Sequence, residues 1–548
     1  MQQLDEFSAY HAELLEGRYD CVDRIVLNGY FPLGQQGGAF RIWWRRLTGS
    51  DETLDQAHLQ RLAGRFSRRV HAWAKKQAIP LIHCAAGERK HELAERHLPQ
   101  APDFHGLFLI LVAKAPGLVW EVKHGKNSTP HLQRKTPWPY VNHYHFHFID
   151  PDWGHITLKM SGHPPFGIQV MLNGHEWVER QARRQTIFAS KEGNCFVGGS
   201  FQTLDRLADT LCDEHAIGRL SEVCDRWVYS CLCFALDLDE QRRSNFRYRY
   251  SVYQIEYSRN LLFTRGTALD AVFQGLIERT RQHLDVTKLR TLFGYKSRPH
   301  QRQGKKPLRL ARVLDQPAYD LTVFKVHFGP LTLKLYDKGA RVLRIEAIAH
   351  NIKGLRCGKS VEKLPIMLAE LQRMVIDFLN VVQAAHCSFL PDGILDTLAA
   401  PTQRGERRLA GVDMQNPRMR AVSEALLALA PKPGGFTLAE LAGKVRALFP
   451  ESPLDYAPRH ASYDLSKLRG KALVERVDRS RRYLIPQRGI RILGGMLILR
   501  EKVIKPVLSG LGKLRVGRPP KNIHPLDQHY MNLQQEMRHT LETLALAS

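Results

Sequence analysis

Residues 142–160 alternate with a period of two: Asn142-His-Tyr-His-Phe-His-Phe-Ile-Asp150, a turn at Pro151-Asp-Trp-Gly154, then His155-Ile-Thr-Leu-Lys-Met160. Successive side chains of a strand point to opposite faces, so this pattern commits the segment to a β-hairpin. His145 and His147 then share one face. That is the spacing of the His-hydrophobe-His metal sites of single-strand nucleases, in which a metal polarises a phosphate for attack by a tyrosine such as Tyr336. Alternating imidazole and aromatic rings also suit a half-buried strand stacked on a nucleic acid.

The preceding segment alternates strands and helices: strand 24–31, a basic amphipathic helix 55–77, strand 79–84, a short helix 88–97 and strand 107–112. This order predicts an α/β domain with a small parallel sheet and right-handed crossovers. Ligands meet such sheets at the carboxyl ends of the strands, which would gather Asn28, the Gln35–Gly38 loop, His83, the Gly87–Lys90 turn and Lys114. Downstream, Asn173 is placed to cap a helix, and 321–328, 331–337 and 341–347 form a β-meander before a long helix starting at Ser360. The fold class is α+β and multidomain. Its segments are 1–122 (N-terminal α/β), 123–290 (central α+β with the His/aromatic hairpin), 291–400 (basic loop, meander, long helix), 401–490 and a basic tail, 491–548.

Within 401–490, helices are predicted at 417–429, from a Thr437 cap to 449, and at 459–470, followed by the strands 473–477 and 483–485. Helix, helix, helix, basic hairpin is the order of a winged helix-turn-helix. Arg459, His460, Lys467 and Arg469 are expected on the exposed side of the third helix, with Arg481 and Arg482 at the wing.

Lys and Arg number 80 against 54 Asp and Glu, a formal charge of +26, which points to a polyanionic partner, RNA or duplex DNA. A hydrophobic share of 43% excludes global disorder, and no apolar run reaches the ~18–20 residues of a membrane span. The start, Met-Gln-Gln-Leu-Asp-Glu, lacks the features of a signal peptide and predicts the cytoplasm. Two segments are basic and acid-free: 294–313, with Lys305 and Lys306, and 502–521, where Gly517-Arg-Pro-Pro-Lys521 places Arg518 for a minor groove. Further candidate phosphate contacts are Arg45, Arg46, Arg68, Arg69, Arg89, Lys90, Lys159, Arg247, Lys334, Lys338 and Arg344. Trp43, Trp44, Tyr144, Phe146 and Trp153 are candidate stacking platforms, with core packing as the alternative. An enzyme reading assigns Asp150, Glu256 and Glu346 to a Mg²⁺ site for phosphodiester hydrolysis, as in a transposase-like nuclease or recombinase. A third reading, a transcriptional regulator, needs duplex binding alone.

Two resemblances add to this. Lys334-Leu-Tyr-Asp-Lys338 with Arg344-Ile-Glu346 and Asn351 resembles a stretch of phage and plasmid replication initiators. The ordered series Leu27-Asn-Gly-Tyr30, Gly87–Lys90, Val141-Asn-His143, Asp150–Lys159, Leu172–Glu176, Gln254-Ile-Glu256, Lys334–Glu346 and Tyr463–Arg469 with Leu473-Val-Glu-Arg476 resembles a large, poorly characterised group of bacterial proteins that often recur in several copies per genome. The C-terminal segment is similar to MarR-type winged helices. The resemblance implies a nucleic-acid-binding protein linked to a mobile element or a structured noncoding RNA.

Overall fold

The computed structural model describes residues 5–50, 53–101, 103–124, 130–283, 322–386, 390–448, 456–504 and 525–543. Ten strands form one sheet: β1 (Leu15–Tyr30), β2 (Leu81–His83), β3 (Gly106–Pro116), β4 (Tyr140–Asp150), β5 (Gly154–Ser161), β6 (Ile168–Leu172), β7 (Arg249–Phe263), β8 (Thr322–Phe328), β9 (Leu331–Lys338) and β10 (Val342–Ala349). Their order is β8-β9-β10-β7-β1-β6-β5-β4-β3-β2. Every neighbouring pair is antiparallel except β2–β3. The expected small parallel sheet is thus one parallel pair at the edge of a large mixed sheet. The reason lies in β1, which pairs with β6 and β7 instead of joining β2 and β3. Asn28 and Lys114 are consequently separated by three strands, and no carboxyl-end crevice gathers them.

The helices that flank this sheet include α1 (Gly37–Thr48), α2 (Gln56–Lys76), α3 (Lys90–Arg96), α4 (Gly174–Arg184), α5 (Phe201–Asp209) and α6 (His215–Leu232). The alternation on β4 decides which face they cover. Tyr144, Phe146 and Phe148 point to the helical side, where Phe66 of α2 meets Tyr144 edge-on at 5.0 Å. Trp227 of α6 stacks on Phe148 at 4.3 Å, and Phe234 stacks on Phe146 at 5.9 Å. Burying such side chains stabilises the layer by about 1.5–3 kcal/mol each. The five proposed stacking aromatics all belong to the core. Trp43 and Phe146 are 0% exposed and Trp44, Tyr144 and Trp153 at most 3%. Adjacent Trp43 and Trp44 are both buried because Phe31, Phe40 and Phe246 surround the first, while the Trp44 indole donates to Thr53.

The opposite face is covered only in part. α3 packs Ala94 on Leu109 and Leu111 of β3. α4 and α5 lie over the start of β1. There Phe201 stacks on Tyr19, and the first residue of α4, Gly174, comes so close that a Cβ would sit 1.9 Å from the Val22 carbonyl oxygen. Asn173 caps α4 as expected, accepting from the His175 N–H.

The sheet and its helices make up one compact unit, Leu15–Gly266 with Ala311–Gln372; the other comprises Met1–Leu14, Thr267–Leu310 and Arg373–Ser548. The second unit contains α7 (Pro417–Leu429), α8 (Leu438–Leu448) and α9 (Pro458–Gly470), then the hairpin Glu475–Arg476 with Tyr483–Leu484. Phe436 bridges to Tyr483 and extends that hairpin. Val422, Leu426, Leu441, Leu465, Leu468 and Ile490 form its core. Thr437 and Glu440 cap α8 reciprocally. No described helix is long and apolar enough to cross a membrane.

Candidate functional site

The partly uncovered face of the sheet carries polar side chains across its width. Residues opposite one another in antiparallel register share a face. One row runs His147, Thr157, Met171, Val26, Gln254; its neighbour runs His145, Lys159, Gln169, Asn28. The face continues through Arg24, Glu256, Glu346 and Lys334. Arg24, at the middle of the sheet, keeps 46% of its side chain exposed, and Lys334 keeps 28%. Asn28 accepts from the Gln169 amide at 2.9 Å.

At the β4 end, three imidazoles lie in a row. His143, His145 and His147 are 7%, 8% and 3% exposed. His147 Nδ1 lies 3.0 Å from His155 Nε2 and 3.1 Å from the Thr157 hydroxyl. Burial pushes the imidazoles of His145 and His147 down to about 3, with Lys159 and Lys90 adding to the effect on His145. His143 is held at about 4, by burial and then by Lys159. Among the described residues no group of three or more His, Cys, Asp or Glu is arranged to hold a metal ion.

At the β10 end, Glu256 and Glu346 are diagonal neighbours across β7 and β10, ~7–8 Å apart along the backbone. Burial raises the Glu256 carboxyl, and the charge of Glu346 raises it further. Lys334 pairs with Glu346 at 2.8 Å. Tyr336 stands opposite Arg344. Arg344, 1% exposed, donates to the Asn194 carbonyl at 2.7 Å and to Asn260 Oδ1 at 3.2 Å, and pairs with Asp23. Lys338 reaches the same Asn194 carbonyl at 3.5 Å. Asp23 stands at a register shift of β1, with His175 Nδ1 3.0 Å away and the Ser258 hydroxyl donating at 2.9 Å. Burial alone would raise the Asp23 carboxyl, but the Arg344 charge and the His175 bond outweigh it and hold it at about 2.

Glu256, Glu346, Tyr336, Lys334, Lys338 and Arg344 are therefore brought together, on three adjacent strands. His145 and His147 share their face but not their place. Four strand spacings separate β4 from β7, roughly 19 Å, too far for one metal ion to be ligated by both groups. Asp150 stands apart from both. It is fully buried at the end of β4 and accepts from the backbone of Asp152 and Trp153, from Arg226 and from the Trp227 indole, between 2.7 and 3.0 Å.

The remaining basic candidates are dispersed. Arg45, Arg46, Arg68 and Arg247 are exposed, and Arg69 donates to the Cys233 carbonyl at 3.3 Å. Arg89 pairs with Glu92. On α9, Arg459 is exposed, but Lys467 lies over the Tyr463 ring at 4.8 Å and Arg469 over Tyr483 at 5.8 Å. His460 accepts from the Ala457 N–H and so caps its own helix. Arg481 is exposed, whereas Arg482 donates to the Gly434 and Gly435 carbonyls. An open cleft of about 690 Å³ runs beside α9, lined by Arg407, Arg408, Leu409, Arg459, Ser462, Tyr463 and Ser466. Lys305, Lys306, Arg518, the whole of 294–313 and residues 505–521 lie outside the described residues.

Sequence reasoning passed over Arg24, Asp23 and His175. One signal was available: two acids in the apolar strand Asp20-Cys-Val-Asp23 must find buried partners. No protein-family model, no curated protein and no solved structure matches this chain.

Proposed function

We propose that this chain is a nucleic-acid-binding protein whose single-strand surface is the polar face of the ten-stranded sheet. The observation that carries the proposal is the contrast between the two faces. Aromatic side chains under helices fill one, while Lys159, Gln169, Asn28, Arg24 and Lys334 line the other across its width. Cations spaced across a sheet bind a strand through its phosphates, and the amides between them offer donors and acceptors to bases. Labelled single-stranded RNA and DNA, titrated by fluorescence anisotropy at several salt concentrations, test it. Affinity is expected to fall steeply with salt, and Arg24→Ala to weaken binding ~3–10-fold while reducing the log–log salt slope by about one contact. Salt-independent binding, or none at low salt, refutes the reading.

The second unit supports a duplex-binding role as a winged helix, with α9 as the groove-facing helix and the Asp478–Arg482 turn as the wing. Arg407, Arg408 and Arg459 are its leading phosphate contacts, because Arg469 and Arg482 are engaged within the unit. Arg459→Ala combined with Arg481→Ala is expected to weaken duplex binding at least ~10-fold and to leave single-strand binding unchanged. Equal loss on both ligands would contradict two separate surfaces.

A nuclease reading draws on one observation, the diagonal placement of Glu256 and Glu346 beside Lys334, where burial and then the Glu346 charge raise the Glu256 carboxyl. Incubation of the same oligonucleotides with Mg²⁺ or Mn²⁺ separates the two. Binding alone leaves them intact, whereas a specific nick abolished by Glu256→Ala or Glu346→Ala replaces the binding reading with hydrolysis.

A further inference from the structure

The cationic groups at the β4 end of the polar face have an unusual balance. Lys159 of β5 stands opposite His145 of β4 in the sheet register, with His143 and Ser161 forming the next pair along. Lys90, the first residue of α3, follows a turn set by Gly87 at φ +85°, in which Glu88 accepts from the Ala85 N–H. α3 packs through Ala94 on Leu111, the β3 partner of His145, so the helix stands as a wall beside the imidazole. Lys90 lies near enough to act electrostatically on both His145 and Lys159.

The charged groups that act most strongly here are lysines: Lys159 on His143, Lys159 and Lys90 on His145, and Lys90 on Lys159. The carboxylates of α3, of the turn before it and of the start of α4 are engaged elsewhere. Glu88 holds its turn, Glu92 pairs with Arg89 and Arg96, and Glu176 pairs with Lys191. Two lysines are thus held against a buried row of imidazoles without an ion-pair partner among the described residues. Nε2 of His147 is buried without a hydrogen-bond partner among the described residues, while the His143 ring faces the Ala115 and Pro116 backbone. A group of like charges that is desolvated and uncompensated is costly to fold, and an anion with several acceptor oxygens removes the cost.

We propose that Lys90, Lys159 and His145, flanked by His143, form a binding site for a phosphate monoester. Two lysine charges match the ≈ −1.5 to −2 charge of a monoester at neutral pH better than the single charge of a diester. Neutral imidazoles add N–H donors without adding repulsion. The same phosphate chemistry has two sources: the terminal phosphate of a strand lying on the sheet face, which rests on the function proposed above, and a free phosphorylated small molecule.

The test begins with the full chain and inorganic phosphate, titrated by calorimetry at neutral pH. Saturable binding is expected, weakened at least tenfold by Lys90→Gln and by Lys159→Gln. Lys90 is partly exposed and its side chain makes no hydrogen bond or ion pair among the described residues, so Lys90→Gln should retain the wild-type thermal unfolding midpoint and keeps the test decisive if Lys159→Gln misfolds. Absence of saturable binding, or unaltered binding in a folded Lys90→Gln protein, overturns the site. A second arm compares oligonucleotides with 5′-phosphate, 3′-phosphate or hydroxyl ends. Preference for one phosphorylated end, lost in Lys90→Gln, supports the strand terminus as source. Phosphate binding without any oligonucleotide binding supports the free-ligand source and refutes the nucleic-acid function alone.

Discussion

Replacing Asp23 by Ala is expected to destabilise the sheet unit by about 3–5 kcal/mol, read as a lowered urea midpoint at pH 7.5. Asp23 and Arg344 are each 1% exposed, and the guanidinium reaches no other carboxylate closer than Glu346 at 3.8 Å. Removing the carboxylate strands Arg344 in a medium where an unpaired charge is poorly solvated, and removes the partner of His175 and of Ser258. The pair need not contribute much against an apolar pair of the same volume, so the double variant Asp23→Ala/Arg344→Met should recover part of the loss. A single variant costing under ~1 kcal/mol would show that the charge relaxes into solvent, and the buried network would not hold β1, β7 and β10 together as described.

Acid should unfold this protein earlier than its carboxylates alone would allow. His143, His145 and His147 are held near 4, 3 and 3 by burial, and by neighbouring lysines in the first two cases. In the unfolded chain the same imidazoles titrate near ~6.5. Because the folded values are the lower ones, the unfolded state binds more protons as pH falls below ~6.5, and stability declines from there towards the folded values. At pH 5 the loss is up to about 2 kcal/mol per imidazole. Asp23 acts in the same direction in a lower window, between the ordinary carboxylate range and about 2. Urea midpoints at pH 7.5 and 5.0 check this: a large drop in the wild type should shrink in His145→Gln/His147→Gln. An unchanged wild-type midpoint would mean that these imidazoles are hydrated or already protonated in the native state.

Local patterns were legible in the sequence and long-range pairings were not. Alternation at 142–160 announced the hairpin and the shared face of His145 and His147, and the helices around 417–429 and 459–470 followed from periodicity and caps. The position of β1 was hidden, since a strand of mixed polarity does not encode its neighbours. Mistaking it for part of a parallel sheet misplaced the expected crevice and hid the network joining Asp23, His175 and Arg344. The stacking aromatics failed for a related reason: alternation says that Tyr144 and Phe146 oppose the imidazoles, but only the docking of α2 and α6 decides which face goes to the core.

The central place of β1 also sets an order of events during synthesis. Both of its partners are made much later, β6 from residue 168 and β7 up to residue 263. At ~5–20 residues per second the strand waits on the order of tens of seconds with its backbone edges unpaired. During that interval Val22, Ile25, Val26 and Leu27, all buried in the native sheet, are open to any other extended chain. The protein should therefore fold slowly and lean on chaperones in proportion to how long β7 is delayed. Truncations ending before residue 249 should aggregate, however complete their helices.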